Sequence, residues 1–361
     1  MSTIILPIKP EYANKILSGE KKYEYRKKLA VHNITRIVIY ASSPVSKVVG
    51  EVSVSGYLKA HPNDLWNKTQ EHSGITFEKY SNYFANKKIA YAYCLKKAIT
   101  YANPKTLDEY GLHSAPQSFA YLKECPYCGE LIQYKKGICS NATSVEHIIP
   151  ESLGNNQLVI NSGHICDKCN NYFATHIENQ FLNFETVKIL RSIHNIISKK
   201  GNIPDLEILF ANENTRIEWD TKSGNAFIGL SSETIDNLMS GETIDFFISK
   251  VINIDELSNN YIVSRFLVKV FSEVNLYYAL KYHSDIKLLF IEEGKMRELF
   301  DYARKGSKCK KVYSYTVKHI KEMSPFTTDD FICSVEITRD NSSRLTGMIL
   351  KLYELEFILN I

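Results

Sequence analysis

No apolar run in this chain of 361 residues approaches the roughly 20 residues that cross a bilayer, so a membrane-spanning helix is not expected. The opening Met-Ser-Thr-Ile-Ile-Leu-Pro has no basic stretch, no long apolar core and no small-residue cleavage pattern, so no secretory signal is expected. A disulfide framework is missing too. Of eight cysteines, four fall in two CxxC pairs, which suits metal binding in a reducing cytoplasm better than cross-linking. Cys94, Cys139, Cys309 and Cys333 are left as buried thiols or bystanders. What is present is ordinary for a globular protein: 44% hydrophobic and 23% charged residues, over a length that suggests two or three domains.

The net charge of +4 conceals an uneven distribution. Residues 1–122 hold 15 Lys and 2 Arg against 9 acidic residues, whereas residues 201–361 hold 19 basic and 24 acidic groups. The positive field therefore belongs to the N-terminal region, as expected of a domain that meets a polyanion. A solvated lysine-rich surface would give the same count.

Apolar periodicity organises the first region. Ile4–Ile8 reads as a short strand and Glu11–Ser18 as a helix stopped by Gly19. The alternating Lys21–Arg26, the β-branched Arg36–Ala41 and Lys47–Tyr57, and Ile89–Ile99 read as further strands. Asp64–Lys68 and Phe77–Ala85 read as helical. Mixed strands with short helices point to a small β-barrel. Four segments then carry a resemblance: Ile8-Lys9-Pro10, Ser18-Gly-Glu-Lys-Lys-Tyr-Glu-Tyr-Arg26, Ile39-Tyr-Ala-Ser42 and Ala115-Pro-Gln-Ser-Phe119. In this order they resemble an ASCH domain, a PUA-like barrel related to the EVE and SRA readers of modified bases. The resemblance covers residues 1–122 and implies a cleft for a nucleotide or nucleobase, lined by Lys9, Glu24, Arg26 and Gln117. Gln and Glu suit a base edge, and Lys and Arg suit phosphate. Some barrels of this kind hydrolyse acylated nucleosides with a Lys, a Thr and a Glu. Glu24 stands where that Thr aligns, which argues against such a role here. Glu24 and Arg26 could also be an ion pair on one strand.

The second region carries the chemistry. Cys125-Pro-Tyr-Cys128 and Cys166-Asp-Lys-Cys169 have the spacing of a four-thiolate zinc site. Between them lies Glu146-His147-Ile-Ile-Pro150, and directly after the last cysteine stand Asn170 and Asn171. A neutral imidazole can take a proton from water, and a carboxylate can hold a hard cation such as Mg²⁺ or Mn²⁺. Over roughly residues 123–176 this pattern resembles the HNH endonucleases of the zinc-knuckle kind. The resemblance implies a ββα-metal finger with His147 as general base, and Glu146 and Asn170 as ligands of the catalytic ion. It also implies Asn161 as the middle Asn that braces the loop and orients the base. Asn161 lies five residues before Cys166 and nine before Asn170, which fits that register. Glu146 replaces the commoner Asp or His, Asn170 replaces His, and Ala174 stands where some members carry another His. A weakly held, largely hydrated Mg²⁺ or Mn²⁺ is therefore expected rather than catalytic zinc. Asn171 is the fallback ligand, and an Asn-Asn pair could also simply cap a helix.

Residues 181–361 show no catalytic motif. Phe181–Lys199 reads as a helix, and Tyr261–Ser272 and Lys295–Arg304 read as amphipathic helices. Leu206–Phe210 and Thr215–Trp219 read as strands, and Phe331–Thr338 and Met348–Ile361 as later strands or helices. The basic run Lys305–Lys311 could touch phosphates or be a solvated loop. The acidic balance favours support or dimerisation.

The expected class is α+β: an N-terminal PUA-like β-barrel (1–122), a central HNH finger with a four-cysteine zinc site (123–180) and a C-terminal α+β extension (181–361). Joined, the two resemblances describe a cytoplasmic, modification-dependent DNA endonuclease of restriction or phage defence. It would act as a homodimer, leaving 5′-phosphate and 3′-hydroxyl ends. An RNA-directed nuclease, or a nucleic-acid-binding regulator with an inactive finger, are the alternatives.

Overall fold

The structure is a computed structural model that describes residues 2–198, 201–210, 212–241, 246–248, 252–282, 293–308, 312–320, 333–341 and 344–361. The chain divides into two units that interleave in sequence: Met1–Cys125, Gly129–Thr143 and Gly163–Cys166 make up one, and Pro126–Cys128, Ser144–Ser162 and Asp167–Ile361 the other.

In the first unit, strands β1 (Ser2–Ile8), β2 (Tyr23–Arg26), β3 (Ile34–Ala41), β4 (Lys47–Ala60), β5 (Ala90–Lys105) and β6 (Ala120–Tyr121) form one sheet in the order β2-β5-β4-β3-β1-β6. β1 and β3 run parallel and the other pairs antiparallel. Successive side chains on a strand face opposite ways, and both faces are apolar. Ile4, Leu6, Ile37 and Ile39 pack with Ala13 and Ile16 of helix α1 (Pro10–Leu17). Ile5, Val38 and Tyr40, one residue out of phase, pack with Tyr110, Leu122 and Leu131. α1 starts on a proline, whose fixed φ suits a first turn, and ends before Gly19 at φ +82°. Helices α2 (Pro62–Thr69) and α3 (Phe77–Tyr83) cover a third cluster around Tyr25, Leu65, Tyr80 and Phe84. A small hairpin, β7 (Tyr134–Lys135) and β8 (Ile138–Cys139), turns through Lys136 and Gly137, both at positive φ.

In the second unit, β9 (Glu146–His147) pairs antiparallel with β10 (Val159–Ile160), and α4 (Asp167–Phe173) follows. The chain continues through a wide, π-type turn (Ala174–Glu178) into α5 (Asn179–Leu182) and α6 (Glu185–Ile193). One continuous helix from Phe181 was expected; Phe184, extended at ψ 136°, breaks it. Beyond lie a four-stranded sheet of β11 (Leu206–Phe210), β12 (Glu213–Asp220), β13 (Asn225–Ile228) and β14 (Phe246–Ile248), and helix α7 (Ser232–Met239). The long α8 (Tyr261–Lys281) and α9 (Glu293–Lys305) precede a second four-stranded sheet, β15 (Tyr315–His319), β16 (Cys333–Arg339), β17 (Leu345–Leu352) and β18 (Leu355–Asn360). α8 extends nine residues past the expected Ser272, and Val263 through Asn275 are all buried. Cys309, Lys310 and Lys311 of the basic run lie outside the described residues, as do Phe331 and Ile332.

Candidate active site

The ligand atoms of Cys125, Cys128, Cys166 and Cys169 lie within 4.8 Å of one another. The first knuckle is set by a turn in which Gly129, at φ +71°, donates its N–H to the Cys125 carbonyl at 2.8 Å. The second lies at the start of α4, where an Asp167 carboxylate oxygen accepts the Ser144 N–H at 2.9 Å. Four thiols converging this closely suit a tetrahedral ion with Zn–S bonds of about 2.3 Å. The donor set fits zinc, and three of the four cysteines are buried.

Glu146 and His147 come from β9, whose register against β10 pairs Glu146 with Ile160 and His147 with Val159. The connection between these strands is braced by a buried asparagine, but not by Asn161. Asn155 Nδ2 donates to the carbonyls of Ile149 (2.7 Å) and Leu158 (3.1 Å). Its Oδ1 accepts the N–H groups of Gln157 (3.1 Å) and Leu158 (2.9 Å). Asn161 sits exposed after β10, outside the cleft that holds the other candidates. The loop-bracing position expected for it is thus filled by Asn155. Counting from the cysteines found an asparagine of the right spacing, but not the one whose amide faces the loop backbone.

One cleft of about 140 Å³ is lined by Glu146, His147, Glu151, Asn170, Ala174 and Glu178 among others. His147 is partly buried, its Nε2 4.0 Å from Glu151 and its buried Nδ1 without a hydrogen-bond partner among the described residues. Asn170 donates from Nδ2 to the Val145 carbonyl at 3.3 Å, leaving its amide oxygen as the donor atom a cation would use. Asn171 is exposed and does not line the cleft.

Glu146 is buried, and its partner was not foreseen. Lys269 of α8, with no solvent exposure, reaches Glu146 at 2.7 Å, Glu273 at 2.8 Å and Glu178 at 3.0 Å. The Tyr127 hydroxyl, from between the first two cysteines, donates to Glu273 at 2.6 Å. Burial works against the Lys269 charge, but the three carboxylates outweigh it and hold the ammonium well above its ordinary pKa. Burial, reinforced by the Glu146 charge, pushes Glu273 well above the usual carboxylate range. Glu146 and Glu178, which line the cleft, outnumber the one ammonium and leave the cleft anionic, a charge balance that suits a divalent cation. The signal in the sequence was a Lys and a Glu four residues apart inside a largely apolar helix.

In the first unit a cleft of about 600 Å³ is lined by Lys9, Tyr12, Lys21, Glu24, Arg26 and Lys79 among others. Lys9, Glu24 and Arg26 therefore share one site, whereas Gln117 is exposed and outside it. Gln117 follows the sheet's long β5 in a segment without regular structure, which the order of motifs could not place. Glu24 and Arg26 form an ion pair at 3.0 Å. Lys21, which was not singled out, is buried, donates to the Ser73 carbonyl at 2.8 Å and lies 4.7 Å from the Tyr25 ring centre. Burial lowers its pKa. Its neighbour Lys22 is exposed, a difference the sequence alone does not reveal.

Two family models match stretches of this chain. A family model described as HNH endonuclease matches residues 125–184, and one described as ASCH domain matches residues 6–102. The large ribosomal subunit protein uL22 of Ureaplasma parvum is 33% identical over 122 residues, which are 34% of this chain and 39% of that protein. The chain thus spans about two fifths of that relative's length. An ASCH domain-containing ribonuclease of Zymomonas mobilis is 28% identical over 124 residues, 33% of this chain and 84% of that protein. A crystal structure of ASCH from Zymomonas mobilis, 27% identical, covers 34% of this chain and 88% of its own with a TM-score of 0.32. No helix among the described residues is long and apolar enough to cross a membrane. The chain carries an ASCH domain at its N-terminus and an HNH endonuclease domain at residues 125–184.

Proposed function

We propose that the chain is a metal-dependent nuclease whose HNH domain hydrolyses phosphodiester bonds in a nucleic acid selected by the ASCH domain. The observation that carries this reading is the meeting of Glu146, His147 and Asn170 in one cleft within the residues that match the HNH family. His147 takes the proton of a water molecule, and the resulting hydroxide attacks phosphorus in line. The new P–O bond forms as the bond to the 3′ oxygen breaks, and that oxygen is protonated by solvent, leaving 5′-phosphate and 3′-hydroxyl ends. Glu146 and Asn170 would hold Mg²⁺ or Mn²⁺, which would supply positive charge opposite the charge developing on the phosphate and the leaving oxygen. The cysteine quartet would hold structural zinc.

A single finger of this kind supplies cutting with little choice of sequence, so choice falls to the ASCH cleft. Lys9 and Arg26 are the phosphate contacts and Glu24 the base contact of this reading. The preferred substrate is DNA bearing a modified base, extruded into that cleft at a few kcal/mol, as in cytoplasmic restriction or phage defence. A homodimer would place two cuts for a double-strand break. A second reading, cutting of RNA, is favoured by one observation: the Zymomonas mobilis relative is named a ribonuclease. The test incubates the protein and Mn²⁺ or Mg²⁺ with unmodified, methylated and hydroxymethylated plasmids and with an RNA transcript. Selective cutting of one modified plasmid supports the first reading and cutting of RNA alone the second. His147→Ala should lower either activity by about 10² to 10⁴; a variant as active as the parent would remove His147 from the mechanism.

A further inference from the structure

Resting on that reading, we infer that Glu178 is a third protein ligand of the catalytic divalent ion, taking the place left by the alanine at position 174. Asn170 lies on α4, and the next residue along its face, Ala174, offers only a methyl group to the cleft. In a regular α-helix a residue eight positions after Asn170 would be rotated about 80° away from it, since each residue turns about 100°. The helix is not regular there. Ala174–Glu178 is a π-type turn, and the extra residue in that turn brings Glu178 back over the face of Asn170 and Ala174. Glu178 accordingly lines the same cleft as Glu146, His147 and Asn170.

The alternative is that Glu178 serves only as a counterion for Lys269, which it meets at 3.0 Å. Two features weigh against that. Lys269 already has Glu146 at 2.7 Å, Glu273 at 2.8 Å and the carbonyls of His147 and Ile148 at 3.4 Å. Glu273 is fully buried and lies on the same helix as Lys269, whereas the Glu178 side chain keeps 14% of its surface exposed and lines the cleft. Glu146 and Glu178 together bring two carboxylates to the cleft against the one ammonium of Lys269. That surplus is what a hydrated Mg²⁺ or Mn²⁺ is suited to meet.

The test is Mn²⁺ binding, followed by electron paramagnetic resonance on full-length protein with its zinc content measured. Glu178→Gln keeps an oxygen to accept from Lys269 and removes only the charge. It should weaken Mn²⁺ binding at least tenfold with zinc content and unfolding midpoint unchanged. Glu178→Asp, which keeps charge and fold, should bind with intermediate affinity and serves if the glutamine variant does not fold. If Glu146→Gln weakens binding while Glu178→Gln and Glu178→Asp match the parent, the inference is overturned and the nuclease reading stands. A parent protein that takes up no Mn²⁺ beside its zinc would overturn both.

Discussion

The ammonium of Lys269 lies 2.7 Å from the carboxylate of Glu146, 123 positions earlier in the chain, and both residues are buried. A residue of the C-terminal region therefore holds the acid that stands beside the proposed general base. The consequence for stability is sharp. Lys269→Met leaves Glu146 and Glu273 buried without their cation, and breaking a buried pair in this way costs about 3–5 kcal/mol. Urea denaturation should show a loss of that size. A loss under about 1 kcal/mol would mean that water enters this core freely.

Asn155 and Asn161 separate two accounts of the loop after His147. Asn155 makes four hydrogen bonds to the backbone on either side of that loop, and Asn161 is exposed. Asn155→Ala should destabilise the protein by about 1–3 kcal/mol through the buried groups it leaves unsatisfied. It should also lower nuclease activity, although Asn155 does not line the cleft. Asn161→Ala should stay within about 0.5 kcal/mol of the parent. Thermal unfolding and plasmid cutting measured on the two variants decide the matter, and the reverse ranking would restore Asn161 to the role its spacing suggests.

These residues also mark where sequence stopped being legible. Strands β1 and β3 were readable as apolar, β-branched runs and β4 as an alternation of apolar and polar residues, and helix α1 was read one residue late at each end. The cysteine quartet was readable because metal geometry dictates spacing in the chain. α8 was read only in part: a helix buried all round has no polar face to set a period. Lys269 and Glu273 within it were visible but pointed to no partner, since the ion pair spans sequence that no local rule crosses. The wide turn at Ala174–Glu178 has no signature either, so a regular helix would have aimed Glu178 away from Asn170.

Zinc binding should be inseparable from folding of the finger. Cys166 is buried at the start of α4, and small zinc modules draw on the order of 10 kcal/mol from their metal. Cys166→Ser should lose bound zinc and expose the segment around β9 and α4 to proteolysis. Atomic absorption and limited digestion report the two effects. Zinc retained at parental level, or lost with no added cleavage, would contradict a structural clamp.

The turn between β17 and β18 supplies a pH-dependent contribution. Glu354 there lies 2.9 Å from His194 Nε2, just past α6, while Tyr353 stacks on the His194 ring with centres 4.9 Å apart. Burial alone would raise the Glu354 pKa, but the hydrogen bond and charge of His194 outweigh it and hold the carboxyl below its ordinary value. An acid held lower in the folded state than in the unfolded chain binds its proton more readily after unfolding. Its stabilisation is therefore complete above the unfolded value of about 4.3 and is lost as pH falls through the folded value. Compared with Glu354→Gln, the parent should be more stable by about 1 kcal/mol at pH 6. That advantage should shrink as the pH is lowered below about 4.3. Urea midpoints for both proteins across pH 3 to 7 measure the difference directly, and a gap that widens toward acid would show that the carboxyl is held above its ordinary value instead.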